Sequence, residues 1–358
     1  MDHKNTYVAI MAGGVGSRFW PSSRESLPKQ FLDILGVGKS LIQLTAERFQ
    51  NIVSPENILV LTNKTYVGLV KEHLPQIPAE NILAEPSRNN TAPCNALLAL
   101  KIIQKNKNAN LVVVPSDHVI LKEAEFLDKV TKAISFASAN DNMVTLSIQP
   151  TRPDTGYGYI ELGESTGQDG IKKVVQFKEK PNLETAEKYL ASGNFAWNAG
   201  IFIWSAKTII DSFNTNAKNI IDVLSEDLSK LNTSEEQDYI DRVYPNTESI
   251  SIDYAILERT DQLYTIPSDI GWSDLGTWNS LHAYMEKDEN KNVVIASSQK
   301  LENVKDTFIK SYKDKMVVVN GLENYIVIDE EDVLMIYPKS KEQEIISVRV
   351  SIEDDRYL

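Results

Sequence analysis

The first half of the chain alternates between short apolar runs and longer stretches with helical periodicity. The apolar runs predict strands at residues 7–12, 57–62, 81–84, 111–115 and 143–148. The periodic stretches between them predict helices at residues 65–74, 92–105 and 123–139. Fully apolar strands joined by helices are typical of a parallel sheet that is covered on both faces. Ligands bind such sheets beyond the carboxyl ends of the strands.

The second half of the chain has a mixed pattern. It predicts strands at residues 156–162, 172–177 and 197–204, a helix at residues 183–191, and mainly helix over residues 206–259. Later, short apolar strands alternate with turn residues at 292–296, 307–310, 316–319, 325–328 and 333–337. Their irregular spacing resembles the rungs of a small solenoid, and a sandwich-like cap is the alternative. We therefore expect two domains, residues 1–288 and residues 289–358.

A glycine-rich segment follows the first predicted strand. Gly13, Gly14 and Gly16 give the backbone the freedom and close approach that a phosphate-binding loop needs, and an ordinary glycine turn is the alternative. Arg18 and Lys29 add two cations to this segment. Arginine can bind two phosphate oxygens at once, whereas lysine acts as a point charge.

Two other phosphate motifs do not fit the sequence. The dinucleotide fingerprint G-x-G-x-x-G fails because Phe19 stands at the third glycine position. Residues 38–40 (Gly-Lys-Ser) imitate the end of a Walker A loop, but Asp33 stands where the first glycine is required. Ser40 is predicted instead to cap a helix that reaches Arg48. A Rossmann dehydrogenase and a P-loop kinase are therefore disfavoured.

Composition narrows the choice further. A chain of 358 residues that is 42% hydrophobic suits a globular protein of two or three domains. Its formal net charge of −13 disfavours nucleic acid and anionic membranes as partners. Cys94, the single cysteine, excludes an intramolecular disulfide and is expected to be buried in a helix. With no signal-peptide or membrane-span pattern, the expected location is the cytoplasm.

Five further polar residues are candidates for binding a metal or a ligand. Asp117 follows the strand at 111–115, Asp274 lies in a Trp-Ser-Asp-Leu-Gly-Thr-Trp segment, and each either caps a turn or binds a metal. Beside a phosphate-binding loop, two aspartates suit Mg²⁺, which takes one or two carboxylates plus substrate phosphates. Lys180 is a surface cation or a partner for a second phosphate, and Glu179 can accept hydrogen bonds from sugar hydroxyls. Asn198, between apolar neighbours, bonds its own backbone or a ligand hydroxyl.

These segments, in this order, resemble the sugar-1-phosphate nucleotidyltransferase family. The resemblance covers roughly residues 5–285 and, more weakly, the tail. The matching segments are residues 12–18, 28–31, 85–93, 115–118, 155–160, 177–181, 197–202, 251–255 and 272–278. The segments at 197–202 and 272–278 favour the mannose branch of the family, and the collinear set is more specific than any single motif.

The resemblance implies an α/β fold and a reaction. The fold has a Rossmann-like nucleotidyltransferase core with a mixed, mainly parallel sheet over residues 1–288. A small β-rich, left-handed β-helix-like domain follows over residues 289–358. The implied enzyme transfers GMP from GTP to mannose 1-phosphate with Mg²⁺ as cofactor. The sugar phosphate attacks the α-phosphorus in line and pyrophosphate leaves, which requires positioning and charge neutralisation rather than a strong base.

The resemblance also implies a role for each site residue. The backbone of Gly13, Gly14 and Gly16 and the side chain of Arg18 hold the triphosphate, and Lys29 stabilises the α-phosphate or the leaving pyrophosphate. Asp117 and Asp274 bind Mg²⁺, and Lys180 neutralises the sugar phosphate. The remaining assignments are Gly158, Glu179 and Asn198 in the sugar pocket, and Glu85, Asn90 and Thr91 beside the nucleobase.

Some expectations stay open at this point. The family usually has Glu-Pro-x-x-Arg-Asn-Thr, but here the arginine comes one place early, as Arg88, so its role is open. His118 is either a further ligand or a structural side chain. Another nucleotide–sugar pair, such as glucose 1-phosphate transfer, is an alternative activity. A non-catalytic subunit that binds nucleotide sugars is an alternative from a different class. The strand-rich tail is a candidate surface for a homodimer.

Overall fold

The computed structural model describes residues 4–358 and the backbone of His3. Its strands, in chain order, are Thr6–Ala12 (β1), Ile58–Asn63 (β2), Ile82–Glu85 (β3), Asn110–Pro115 (β4), Val119–Ile120 (β5), Met143–Ile148 (β6), Tyr159–Ser165 (β7), Lys172–Lys178 (β8), Phe195–Ser205 (β9), Leu263–Pro267 (β10), Trp272–Ser273 (β11), Val293–Ile295 (β12), Ser298–Glu302 (β13), Phe308–Lys310 (β14), Met316–Asn320 (β15), Tyr325–Asp329 (β16) and Leu334–Pro338 (β17). Its α-helices are Leu41–Arg48 (α1), Val67–His73 (α2), Thr91–Lys105 (α3), Glu123–Asn140 (α4), Leu183–Ser192 (α5), Ala206–Asn216 (α6), Lys218–Leu224 (α7), Glu236–Val243 (α8), Trp278–Tyr284 (α9) and Ile345–Val350 (α10).

The described chain divides into two compact units that are interleaved in sequence. The first unit contains the residues up to Gly13, Thr45–Ser116 and Ile120–Trp272. The second unit contains Gly14–Leu44, Asp117–Val119 and Ser273–Leu358. The division into domains after residue 288 stays a prediction; residues 1 and 2 of its first part lie outside the described residues.

The first unit is built on a nine-stranded sheet with the order β3-β2-β1-β4-β9-β6-β10-β8-β7. The pairs β1–β2, β1–β4, β2–β3 and β6–β10 are parallel. β9 is antiparallel to β4, β6 and β7, and β8 is antiparallel to β7 and β10. The expected mixed sheet is therefore confirmed. The prediction of a parallel sheet through the first half of the chain was wrong at one point. The antiparallel strand β9 lies between β4 and β6.

Both faces of this sheet are covered. Val8 and Ile10 point to one face and Ala9 to the other, and all three are fully buried. Ala9 belongs to one apolar cluster with Leu97 and Leu98 of α3. α3 begins after Asn90, whose side chain accepts a hydrogen bond from the Thr91 N–H, and its residues 92–102 are all buried. Apolar composition and a capping residue therefore place α3 over the sheet, as predicted.

The second unit combines residues 14–44 with the strand-rich tail. β12, β14 and β16 form a parallel ladder with β17 antiparallel at its edge, and β13 pairs in parallel with β15. Phe19 and Trp20 share an apolar cluster with Trp278 and Phe308. The β-rich C-terminal region is confirmed, whereas its left-handed β-helix character stays a prediction.

Among the residues that the structure describes, no helix combines the length and the apolar composition that crossing a membrane requires.

Candidate active site

The glycine loop of the second unit has a backbone that only glycine fits at one position. Gly16 has φ +75°, in the left-handed region, and a Cβ added there would lie 2.4 Å from the Cβ of Lys29. The loop folds back on itself because the Lys29 N–H donates to the Val15 carbonyl at 3.0 Å and the Phe19 N–H donates to the Gly16 carbonyl at 3.0 Å. Gly16 therefore allows the loop to pack directly against residue 29.

The same loop uses its carbonyl groups and leaves its amides available. The Ser23 hydroxyl donates to the Val15 carbonyl at 2.5 Å, and the Gln30 amide donates to the Gly14 carbonyl at 2.9 Å. By contrast, no hydrogen bond among the described residues uses the N–H groups of residues 14–17. Arg18 is exposed directly after them. Successive free amides next to an arginine form a concave donor set of the kind that binds anions.

Lys29 is held on all sides by this unit. Its ammonium donates to the Asp274 carbonyl at 2.8 Å and the Leu275 carbonyl at 2.8 Å, and lies 2.9 Å from Asp117 Oδ2. These three acceptors match the three N–H donors of an ammonium group. The side chain is only 4% exposed, so the cation is buried with its partners in place. Lys29 therefore links the carboxylate of Asp117 to the backbone of residues 274 and 275.

Asp117 remains ionised in this setting. Burial alone would raise the pKa of its carboxyl group, but the charges of Lys29 and His118 and the Lys29 hydrogen bond outweigh burial and lower the pKa. His118 Nε2 lies 4.0 Å from Asp117 Oδ1. The aspartate side chain keeps 31% of its surface exposed, which leaves room for a ligand on the carboxylate.

The sequence allowed Asp274 to be the N-cap of a helix, but it does not have that role in the structure. Thr277 is the N-cap of α9 and forms a capping box with Ser280, while Asp274 Oδ1 accepts the Gly276 N–H at 3.2 Å. Asp117 and Asp274 supply hard carboxylate oxygens, the donor type that Mg²⁺ takes together with phosphates and water. These two residues therefore fit a magnesium ion. Across the described residues, no group of three or more His, Cys, Asp or Glu side chains is arranged to hold a metal.

In the first unit, Glu85 ends β3 as a half-buried carboxyl group. Tyr244 OH donates to Glu85 Oε1, and a Cβ added at Gly13 would lie 3.8 Å from Glu85 Oε2. Burial raises the pKa of Glu85 to about 7, even though the Tyr244 hydrogen bond lowers it. Sequence reasoning missed Tyr244, because nothing in its local pattern indicates a partner 159 positions away.

The loop after Glu85 is anchored by buried hydrogen bonds, while Arg88 and Asn90 are exposed to solvent. The buried Asn89 amide donates to the Tyr244 and Thr247 carbonyls at 3.1 and 3.0 Å. Thr91 Oγ1 accepts the Ile252 N–H at 2.8 Å. Arg88 is exposed and donates to the Tyr66 hydroxyl at 2.9 Å. Asn90 is the N-cap of α3, and its φ of 66° is left-handed.

The raised pKa of Glu85 predicts a pH-dependent cost to folding. A carboxyl group with a folded pKa near 7 binds its proton more tightly when folded, so stability falls as pH rises from about 4.5 through about 7. Glu85→Gln keeps a hydrogen-bond acceptor for Tyr244 but removes this ionisation. Urea unfolding at pH 5 and pH 8 should show the variant gaining about 2 kcal/mol relative to the wild type at the higher pH. Parallel pH profiles would contradict the assigned burial cost.

Gly158 and Glu179 are in contact in the first unit. A Cβ at Gly158 would lie 2.6 Å from Glu179 Oε2 and 3.2 Å from Phe177 Cζ, so no larger residue fits there without rearrangement. The Asn198 N–H donates to the Gly158 carbonyl at 2.8 Å. Asn198 Oδ1 accepts from Thr145 Oγ1 at 2.9 Å and the Gly200 N–H at 3.2 Å. Within the described part of the chain, no hydrogen bond uses the Asn198 NH₂ group, which remains a donor for a ligand.

Lys180 and two carboxyl groups form a charged cluster beside these residues. Lys180 Nζ lies 2.6 Å from Glu179 Oε1, the lysine is 59% exposed and the glutamate only 9%. Burial opposes the charge of Lys180, but Glu179 and Asp253 raise its pKa. Burial and the Glu179 charge raise the pKa of Asp253 to about 7. Asp253 was not among the predicted site residues, although it lies in the matching segment at 251–255.

The glycine loop with free amides and the Lys29–Asp117 ion pair are typical of an α/β protein that binds phosphorylated ligands. A family model described as nucleotidyl transferase matches residues 7–291. Mannose-1-phosphate guanylyltransferase RfbM of Salmonella typhimurium is 37% identical over 341 residues, which cover 94% of this chain and 70% of that protein. Xanthan biosynthesis protein XanB of Xanthomonas campestris pv. campestris is 35% identical over 339 residues, which cover 94% of this chain and 71% of that protein.

A solved structure has a fold similar to that of this chain. Mannose-1-phosphate geranyltransferase from Thermus thermophilus has a TM-score of 0.88 and 28% identity, covering 98% of this chain and 100% of that one. The chain belongs to the nucleotidyl transferase family. The expected family and the expectation of an enzyme of the nucleotidyltransferase class are therefore confirmed.

Proposed function

We propose that this chain transfers GMP from GTP to α-D-mannose 1-phosphate. A phosphate oxygen of the sugar phosphate forms a bond to the α-phosphorus of GTP, the bond to the β-phosphate oxygen breaks, and GDP-mannose and pyrophosphate are the products. The observation that carries the proposal is the glycine loop, whose free amides at residues 14–17 precede Arg18. The name of the Salmonella relative supports mannose 1-phosphate and a guanylyl group as the substrates.

On the nucleotide side, the chain supplies donors and charge rather than a base. The amides of residues 14–17 and the guanidinium of Arg18 bind triphosphate oxygens. Lys29 has its three donors occupied by Asp117 and the backbone of residues 274 and 275. Its positive charge therefore acts on the phosphates through space while the side chain holds the acidic residues in position.

Asp117 and Asp274 hold Mg²⁺ in this proposal. The metal supplies positive charge that neutralises the phosphate oxygens. The chain contributes two aspartates that Lys29 joins, through the carboxylate of one and the backbone of the other. The lowered pKa of Asp117 keeps its carboxylate ionised at neutral pH.

On the sugar side, Lys180 binds the phosphate of mannose 1-phosphate. Glu179 accepts hydrogen bonds from sugar hydroxyls, and the Asn198 NH₂ group donates to another. A side chain at position 158 would meet Glu179, so the glycine leaves this carboxylate accessible to the sugar in the proposal. Glu85, Asn90 and Thr91 contact the nucleobase, where a carboxyl group suits the N–H donors of guanine.

Lys180→Ala should weaken the use of mannose 1-phosphate and spare GTP. Loss of a charge-assisted hydrogen bond to phosphate costs about 1.5–3 kcal/mol, so KM for the sugar phosphate should rise roughly 10- to 100-fold. The matched control is Lys178→Ala, an exposed neighbour 3.8 Å from Glu258, which should stay within about twofold of the wild type. A variant in which only KM for GTP rises would contradict the assigned partner of Lys180.

Steady-state kinetics with four nucleotides and two sugars test the proposal as a whole. We expect the highest kcat/KM with GTP and mannose 1-phosphate among GTP, ATP, UTP and dTTP paired with mannose or glucose 1-phosphate. A preference for glucose 1-phosphate would support the alternative activity, nucleotidyl transfer to a different sugar phosphate. Binding of GDP-mannose without turnover of any pair would support a non-catalytic subunit.

A cytoplasmic location and a homodimer through the C-terminal region belong to the same proposal. The single cysteine, buried in α3, suits a reducing compartment. Sedimentation of the purified protein measures the oligomeric state directly.

A further inference from the structure

Three consecutive side chains after the glycine loop point in alternate directions within the second unit. Ser22 and Arg24 face the turn between β16 and β17, whereas Ser23 faces back to the glycine loop. The Ser22 hydroxyl donates to Glu330 Oε1, and Lys310 Nζ donates to the same oxygen at 2.5 Å. The turn is thus joined to residue 22 through a lysine–glutamate pair.

Arg24 makes the stronger connection to this turn. Its two terminal nitrogens donate to the two oxygens of Asp332 at 2.7 and 2.5 Å, which is bidentate geometry. Its Nη1 also donates to the Arg356 carbonyl at 3.3 Å, and its Nε donates to the Pro21 carbonyl at 3.0 Å. The arginine is only 17% exposed, so it has little freedom to leave Asp332.

Ser23 transmits this connection to the phosphate-binding loop. Its hydroxyl donates to the Val15 carbonyl at 2.5 Å, and the Lys29 N–H donates to the same carbonyl at 3.0 Å. The Ser23 N–H donates to the Phe19 carbonyl at 3.0 Å. Ser23, which binds the Val15 carbonyl, therefore lies between Ser22 and Arg24, which bind the β16–β17 turn.

We propose that Glu330 and Asp332 of the β16–β17 turn are positioning residues for the phosphate-binding loop. Through Ser22 and Arg24 they fix Ser23, which orients the Val15 carbonyl and so turns the neighbouring amides towards the ligand. This deepens the proposed function and rests on it for the identity of the ligand, a nucleoside triphosphate. The C-terminal region then contributes to nucleotide binding without touching the nucleotide.

The test compares Asp332→Asn with a matched control in the same turn region. Asp329→Asn breaks the Lys315–Asp329 ion pair, 3.0 Å long; neither residue forms a hydrogen bond or ion pair with residues 22–24. One readout is steady-state kinetics with GTP, mannose 1-phosphate and Mg²⁺. The other is hydrogen exchange of the ligand-free protein, measured at the amides of Phe19, Ser23 and Lys29 that close the loop.

For Asp332→Asn we expect KM for GTP to rise about fivefold, as for loss of a partly exposed ion pair. KM for mannose 1-phosphate and kcat should stay within about twofold, the loop amides should exchange faster, and Asp332→Glu should restore part of the change. A merely structural role would lower thermal stability in both aspartate variants without this split between substrates.

The outcomes separate this proposal from the proposed function. If Asp332→Asn matches Asp329→Asn in both readouts, or if exchange accelerates while KM for GTP is unchanged, the positioning role is overturned. If the wild type turns over no nucleotide with mannose 1-phosphate, yet Asp332→Asn alone accelerates exchange at the loop, the proposed function fails and the positioning of the loop stands.

Discussion

Replacing Asp117 with asparagine will lower kcat/KM for GTP by at least about a hundredfold while the protein stays folded. Asparagine keeps an oxygen that can accept from Lys29 but lacks the charge that binds Mg²⁺. The lowered pKa of Asp117 shows that Lys29 and His118 stabilise its ionised form, so the variant removes a negative charge that the fold maintains. The measurement is turnover at increasing Mg²⁺ concentrations, with the extent of folding followed by circular dichroism.

A matched carboxylate separates this effect from a general change in charge. Asp128→Asn breaks the exposed 2.7 Å pair with Lys132 on α4 and should stay within about twofold of the wild type. Asp117→Asn should lose some stability as well, because the 4%-exposed Lys29 loses its counter-charge. Near-normal turnover of Asp117→Asn would remove Asp117 from the mechanism.

Gly16→Ala is the second substitution for which we expect a large effect. The alanine must adopt φ +75° and place its Cβ 2.4 Å from the Cβ of Lys29, so the loop or residue 29 has to move. We expect a loss of about 2 kcal/mol or more in the free energy of unfolding. We also expect at least about a tenfold loss in kcat/KM for GTP, since the loop amides shift.

Substitutions at two other glycines provide controls for Gly16→Ala. They add the same methyl group where neither a positive φ nor a close neighbour opposes it. A Cβ at Gly14, in the same loop, or at Gly68, in α2, meets nothing within 4 Å, and neither residue has a positive φ. Gly68→Ala should leave turnover unchanged and stability equal or higher. Gly14→Ala should be milder than Gly16→Ala in stability. Equal destabilisation at positions 14 and 16 would contradict the packing of Gly16 against Lys29.

Sequence patterns predicted elements well where burial is continuous. β1, β4, α3 and β6 lie within one residue of their predicted bounds, because fully apolar strands and a long apolar helix have strong periodic signals. The pattern does not encode strand direction, so the antiparallel β9 between β4 and β6 could not be foreseen. β13, with sequence Ser-Gln-Lys-Leu-Glu, was missed because its mainly exposed residues have no apolar pattern.

In the candidate site, too, local motifs predicted some residues, whereas contacts between distant parts of the chain could not be predicted. Gly16, Lys29 and Asp117 were predicted from local motifs; Gly16 packs against Lys29, and Lys29 pairs with Asp117. The number of acceptors around Lys29 could not be predicted, because two of them are backbone carbonyls about 245 positions away. Tyr244 and Asp332 were also missed for this reason, since partners distant in sequence leave no local signal.

A single competition experiment measures which nucleotide and which sugar phosphate the enzyme joins. The purified wild type is incubated with Mg²⁺, equal concentrations of GTP, ATP, UTP and dTTP, and equal concentrations of mannose and glucose 1-phosphates. The products are separated and identified by mass spectrometry. We expect a predominant GDP-hexose that co-elutes with GDP-mannose, formed with one pyrophosphate per product. A predominant UDP- or dTDP-glucose, or no nucleotide sugar at all, would rule out GMP transfer to mannose 1-phosphate as the main reaction.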